Sequence, residues 1–272
     1  MPELPEVETV VRDLRPVLVG QSFGELSTTV PAVVLPSVSA YEDLRGLKVT
    51  SVERRGKYIH IFFERDFVVT IHLRMTGRII LQDFDDEPLK YERTRIDFSE
   101  SSLRFCDLRK FGRVWVSRVS DYEEMTGVSR LGVEPLSEDF SPGKLIELFS
   151  GRRGHVKKWL LDQSLIAGIG NIYADEACFY AGIRPDAEIS RLKRADLERL
   201  FAAVLTALNQ GVRNRGTSIS DYADAYGKSG KNQEVLYVYG RGGRPCINCS
   251  SVLEKARVAG RGTVYCGKCQ KF

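Results

Sequence analysis

Four cysteines near the end of the chain, Cys246, Cys249, Cys266 and Cys269, stand in the spacing C-x2-C-x16-C-x2-C. Each CxxC lets two sulfurs converge on one edge of a tetrahedron, and the separation of the pairs falls within the window for a four-thiolate zinc site. Disulfide pairing is the other use of such a quartet, and a reducing cytosol disfavours it. The opening MPELPEVETV has neither the basic n-region nor the apolar h-region of a secretion signal. One structural zinc ion is therefore expected, with four thiolates closing its shell and no position open to water; no organic cofactor is expected. Metal binding of this kind is worth on the order of 10 kcal/mol, enough to order a short ribbon with little core of its own. Between the cysteine pairs, Leu253 to Val258 and Thr263 to Tyr265 read as two short strands. Ala259-Gly260-Arg261-Gly262 joins them, which predicts a hairpin with Arg261 at its tip. The two remaining cysteines, Cys106 and Cys178, sit inside apolar patterns and read as buried thiols.

At 272 residues the chain is long enough for one large or two medium domains that bury most of their apolar surface. No apolar run approaches the roughly 18 to 20 residues of a membrane span, so a cytoplasmic protein without a membrane partner is expected. The formal charge of +4 is mild, but its distribution is uneven: from Val235 onward there are seven Lys or Arg and one acid, Glu254. Such a tail suits a polyanionic partner.

Upstream, Pro5, Glu6 and Glu8 make a favourable helix start, and Val7, Val10, Val11, Leu14 and Leu18 then fall on one face. From Leu47 to Val116 the period changes to two, as in Tyr58 to Phe63 and Leu103 to Leu108, with short turns between, which predicts an antiparallel sandwich. Near Gly132 to Pro142 the strand pattern ends. Helical periodicity follows at 145–149, 156–165, 172–181 and 197–208. Between two of these helices, Gly168 and Gly170 let the backbone approach a ligand, and Asn171 is expected at the helix N-cap, where amide groups and dipole favour an anion. With Arg152, Arg153, Lys157 and Lys158 close in sequence, a DNA phosphate fits. The segment 217–234 is polar, lacks periodicity and is longer than most connections, so it reads as a functional or mobile loop. The expected fold is α+β: an N-terminal antiparallel β-sandwich with a leading helix (1–133), a helical domain (134–234) and a zinc-finger hairpin (235–272).

The segments MPELPEVETV, RRGKY at 54–58, HLRMTG at 72–77, DLRKFG at 107–112, LGVEPL at 131–136, LLDQSLIAGIGNIYADE at 160–176, and VYGRGGRPC through GRGTVYC at 238–266 resemble the formamidopyrimidine-DNA glycosylase family over nearly the whole chain. The resemblance implies a helix-two-turns-helix domain between sandwich and finger. It also implies a bifunctional glycosylase and AP lyase of base excision repair, which removes 8-oxoguanine and formamidopyrimidines from damaged double-stranded DNA. In that reading Pro2, freed of Met1, is the covalent nucleophile and Glu3 beside it the acid and base. Lys57, at a strand position, donates a proton in β-elimination, and Arg261 serves δ-elimination. Met75, Arg109 and Phe111 fill the gap left when the damaged nucleotide swings out, and the loop 217–234 covers the flipped base. The segment YERTRID departs from many relatives, which carry a DNA-contacting histidine there; Arg93 takes its place and, as a cation, can still meet a phosphate.

Two alternatives remain: an oxidised-pyrimidine glycosylase of the related endonuclease VIII type, and a non-catalytic zinc-finger DNA-binding protein. The opening PELPE rather than PEGPE favours the purine enzyme, and intact Pro2, Glu3 and Lys57 argue against lost catalysis. A monomer acting on the bacterial nucleoid is expected.

Overall fold

The computed structural model describes residues 1–219 and 221–271. The chain forms two compact units, Met1–Ser129 with Val212–Gln233, and Arg130–Gly211 with Glu234–Phe272. The chain thus leaves the first unit after its strands and returns to it for the loop that follows the last long helix.

The first unit opens with α1 (Leu4–Leu18). Pro5 suits its first turn, where the missing N–H would be unpaired anyway, and the Glu6 carboxylate accepts from the Glu3 backbone N–H at 2.8 Å. Val7, Val10, Val11, Leu14 and Leu18 are fully buried and join the sandwich core with Ile59, Ile61, Ile71, Leu103 and Phe105. Nine strands follow: β1 (Phe23–Thr28), β2 (Val34–Leu35), β3 (Val49–Arg55), β4 (Tyr58–Phe63), β5 (Phe67–His72), β6 (Gly77–Gln82), β7 (Glu92–Phe98), β8 (Ser102–Asp107) and β9 (Arg113–Arg118). They make a four-stranded sheet in the order β1-β7-β8-β6 and a five-stranded sheet in the order β2-β9-β5-β4-β3. All pairings are antiparallel except that of β2 with β9. In β4 and β5 both faces are buried. Tyr58, His60, Thr70 and His72 lie on the face turned away from the core, and Tyr122 of the short helix α2 (Tyr122–Thr126) packs edge-on against His60.

The second unit contains α3 (Pro142–Phe149), α4 (Val156–Leu160) and α5 (Asn171–Ala181). The helix α6 (Arg194–Arg213) follows, its last two residues grouping with the first unit. Ser141 caps α3, its side chain accepting from the Lys144 N–H at 3.1 Å. Helix α4 stops five residues earlier than its periodicity suggests, because the residues after it turn back on themselves around Gln163. That side chain donates to the Leu161 and Ile169 carbonyls and accepts from the Gly168 N–H. The finger hairpin pairs β10 (Glu254–Val258) with β11 (Arg261–Tyr265). Its connection is shorter than expected: Ala259 (φ 50°) and Gly260 (φ 73°) form a two-residue turn of the left-handed kind that suits tight hairpins. Arg261 therefore begins β11 opposite Val258 and flanks the tip instead of occupying it. Among the described residues no helix is long and apolar enough to cross a membrane.

Candidate functional site

At the N-terminus, Pro2 is buried and Glu3 is 2% exposed. The second oxygen of Glu6 accepts from the Thr217 N–H at 2.7 Å, so the base of the loop 217–234 is fastened to the first turn of α1, next to Pro2 and Glu3. The other described residues of this loop are held as firmly, in a segment that reads as functional or mobile in sequence. Arg215 bridges Asp13 of α1 at 2.7 Å and Asp224 at 2.5 Å, and Leu81 of β6 donates to the Ala225 carbonyl at 2.8 Å. Asn232 reaches Thr217, and Gly230 donates to Ser218. Ser220, within the same loop, lies outside the described residues.

Lys57 is not a strand residue: with Gly56 it forms the two-residue turn between β3 and β4, and it is 7% exposed. Its charge reaches His72, which pairs with the neighbouring Tyr58 across the β4–β5 register. Burial, seconded by the cations of Arg74 and Lys57, lowers the His72 pKa to about 3, so this imidazole is neutral. Its Nδ1 accepts from the Arg74 backbone N–H at 2.9 Å.

Three expected gap-filling residues come together, although they lie on two separate loops. Met75 follows β5 and is 43% exposed; Phe111, between β8 and β9, is 48% exposed; Arg109 joins them. The Arg109 Nη1 lies 3.1 Å from the Met75 sulfur and its guanidinium stacks 4.5 Å from the centre of the Phe111 ring. An apolar surface with a cation at its centre stands exposed at one end of the four-stranded sheet. Arg93, on β7, is half-buried and donates from Nε to the Asp107 carbonyl at 2.8 Å.

In the second unit, Arg152 lies 4.7 Å from the Trp159 ring, with Lys158 on the same ring at 4.4 Å. Lys157 requires a correction. Sequence groups it with its basic neighbours as a phosphate contact, but its side chain is fully buried in a 2.6 Å ion pair with equally buried Asp175. It also donates to the Thr263 hydroxyl at 2.7 Å. An ammonium with no exposed surface cannot reach a DNA phosphate; residues 157 and 158 are adjacent, but α4 turns the first inward and leaves the second outside. Asn171 also shifts by one place: Gly170 is the N-cap of α5 and Asn171 its first residue. The Asn171 amide donates to the Gly262 carbonyl at 3.0 Å, beside Arg261.

Sequence reasoning misses the carboxylates that hold these parts. Asp175 accepts from the Val264 N–H at 3.2 Å, and Glu176 accepts from the N–H groups of Tyr237, Val238 and Tyr239, each at 2.9 Å. Two acids among Ile172, Tyr173, Ala174, Ala177 and Cys178 on a buried helix signal internal partners, because a buried charge must be paired.

The four finger cysteines cluster with all Sγ atoms within 4.8 Å of one another. A tetrahedral zinc with Zn–S bonds of about 2.3 Å would set its sulfurs about 3.8 Å apart. The Cys246–Cys269 and Cys249–Cys266 distances, 3.8 and 3.5 Å, match that edge and are far longer than a disulfide. The donor set fits one structural zinc ion. Cys106 and Cys178 are buried free thiols, as expected.

Three family models match the chain in succession: the formamidopyrimidine-DNA glycosylase N-terminal domain over residues 1–114, the formamidopyrimidine-DNA glycosylase H2TH domain over 131–223, and the zinc finger found in FPG and IleRS over 243–271. The formamidopyrimidine-DNA glycosylase of Desulfitobacterium hafniense is 42% identical over 99% of this chain and 100% of its own length. That of Moorella thermoacetica is 43% identical over 94% of this chain and 95% of its own. Among solved structures, the Lactococcus lactis Fpg in complex with abasic-site DNA superposes with a TM-score of 0.92 at 35% identity, covering 99% of this chain and 100% of that one. The MutM (FPG) protein of Thermus thermophilus gives a TM-score of 0.90 at 38% identity, covering 99% and 98%. With a fold, a cysteine quartet and full-length likeness in agreement, the chain belongs to the formamidopyrimidine-DNA glycosylase family.

Proposed function

We propose that this chain removes oxidised purines, 8-oxoguanine and formamidopyrimidines, from double-stranded DNA and then nicks the strand as a lyase, acting as a monomer in the bacterial cytoplasm on nucleoid DNA. It is a DNA glycosylase of base excision repair. The Lactococcus lactis relative is bound to Fapy-dG DNA and to abasic-site DNA in its solved complexes, which supports this substrate class. The observation that carries the reading is the assembly of Met75, Arg109 and Phe111 at one exposed edge. A glycosylase must rotate its target out of the stack at a cost of a few kcal/mol, and an apolar wedge with a hydrogen-bonding arginine fills the gap.

The covalent steps fall to residues 1–133 as catalytic domain. With Met1 removed, the Pro2 amine attacks C1′ as the bond to the base breaks and the base leaves with a proton. The ring then opens, C1′–O4′ breaking as O4′ takes a proton, and leaves an iminium that acidifies the C2′ proton; loss of that proton breaks the C3′–O bond, and loss of the C4′ proton in a second elimination breaks C5′–O. An amine must be neutral to attack, and an α-amino group gives up its proton far more readily than a lysine side chain does. Glu3 moves protons beside it, and Lys57 donates one in the first elimination. The helical domain, 134–234, grips phosphates through Arg152, Gly170 and Asn171, and Arg93 meets the backbone from the sandwich. The loop 217–234 covers the displaced base. In the finger, 235–272, Cys246, Cys249, Cys266 and Cys269 hold the zinc, which orders the ribbon and takes no part in bond making. Arg261 serves the second elimination.

Borohydride trapping on an 8-oxoguanine duplex tests the nucleophile, with Pro2→Gly and a Met1-retaining form beside the native chain. The expected result is an adduct at residue 2 that vanishes when Met1 stays. An adduct on an internal lysine, or none, would sink the mechanism; release of thymine glycol in preference to 8-oxoguanine would shift the substrate to oxidised pyrimidines.

A further inference from the structure

Asp107 ends β8 and is 1% exposed, and none of the steps above uses it. Its Oδ1 accepts from the Thr76 hydroxyl at 2.5 Å and from the Arg109 N–H at 3.1 Å, and its Oδ2 accepts from the Gly112 N–H at 2.8 Å. One carboxylate thus ties the turn carrying Met75 to the loop carrying Arg109 and Phe111. Both segments need such a tie. Each contains a non-glycine residue in the left-handed region, Arg74 at φ 53° and Lys110 at φ 58°, a conformation that an L-residue holds only when its surroundings impose it. The space around the tie is full: a Cβ on Gly112 would lie 2.3 Å from Phe105 Cζ, and one on Gly77 would lie 2.4 Å from the Leu73 carbonyl oxygen.

We infer that Asp107 is a positioning residue that assembles Met75, Arg109 and Phe111 before DNA arrives. All three of its partners are donors, so both oxygens must accept; an asparagine would turn an NH2 group against an N–H or a hydroxyl proton. Two loops ordered in advance do not have to be ordered on the DNA, and binding free energy then goes to opening the stack. The inference rests on the gap-filling reading of the three side chains.

The test is single-turnover excision by Asp107→Asn, Met75→Ala and the double variant on two substrates: 8-oxoguanine paired in a duplex, and the same lesion inside an unpaired bubble where nothing has to be unstacked. Losing hydrogen bonds to a charged group corresponds to about tenfold or more on the paired lesion, with less than about threefold change in the bubble. The double variant should lose less than the product of the two single losses, because part of what Asp107 holds in place is already gone with Met75. Equal loss on both substrates, no loss on the paired one, or additive losses would overturn the inference. Should Met75→Ala itself leave paired excision intact, the gap-filling reading fails instead. Thr76→Val, which removes one donor without touching the carboxylate, should give a weaker version of the same pattern and carries the test if Asp107→Asn does not fold; unchanged or uniformly reduced activity there overturns the inference too.

Discussion

Asp107 and Asp175 are both buried carboxylates that hold a segment bearing a proposed DNA contact, and they do it by opposite means. Asp107 sits among neutral donors from loops adjacent to its own strand. Asp175 sits against a buried cation, Lys157, and grips the finger strand at Val264 while Lys157 holds Thr263, so that Arg261 begins a strand fixed from beneath. The first arrangement needs no counter-charge. The second removes two full charges from water, and such a pair is stabilising only while both members are present.

The finger depends on more than this pair, and the comparison breaks most visibly when its zinc is removed. Cys249→Ser, or chelation of the metal, forfeits a binding free energy on the order of 10 kcal/mol that is also the folding energy of the ribbon. Zinc content and DNA affinity should both fall, while the sandwich unit, including the Met75 and Phe111 loops, keeps its amide exchange protection. Retention of both zinc and full binding would contradict the assignment.

Next in size is Lys157→Met. Measured by urea unfolding at pH 8, with Trp159 as the reporter in a Trp115→Phe background, it should destabilise the helical unit by about 3–5 kcal/mol, the usual consequence of stranding one half of a buried pair. The double variant Lys157→Met, Asp175→Leu should recover much of this loss, since no charge then remains inside. Were Lys157 a solvent-facing phosphate ligand, the single variant would leave stability untouched and lower only the salt dependence of DNA binding.

How far the sequence reveals these two devices differs. The leading helix is readable because Pro5, Glu6 and an apolar stripe agree, the paired strands from Val49 to Arg118 because period two persists, and the zinc quartet because metal geometry restricts spacing directly. β1 escapes such a reading: FGELST alternates poorly, and its pairing with β7 slips between Phe23 and Glu25. The convergence of Met75 with Arg109 and Phe111 comes from family likeness; the register of β6 on β8, which sets Gly77 opposite Asp107, is what enforces it, and register is not written in one strand. Lys157 misleads because a pair of adjacent lysines looks like a cationic surface, whereas its partner stands eighteen residues on and its burial is decided by tertiary packing. Lys57 moves from strand to turn and Arg261 from tip to strand, each by a residue or two, where local preference is weakest.

The smallest expected effect is a slope, and it concerns Asp175. Burial raises the Asp175 pKa from its ordinary 3.8 to about 7, outweighing the pull of Lys157. A folded-state pKa above the unfolded one means that the native protein holds a proton the unfolded chain has released. That proton's contribution to stability is fully present below about pH 3.8 and is lost as pH rises through about 7. The stability of the native chain relative to Asp175→Asn should therefore decline from about pH 5.5 to about 7.5 with zinc in excess, then flatten. The penalty of Lys157→Met should move the other way and shrink at the acid end, where Asp175 is neutral and leaves no stranded charge. A flat difference between native and Asp175→Asn across this range would mean that the pair is ionised throughout, so that Lys157 outweighs burial and the finger strand is held by a permanent salt bridge.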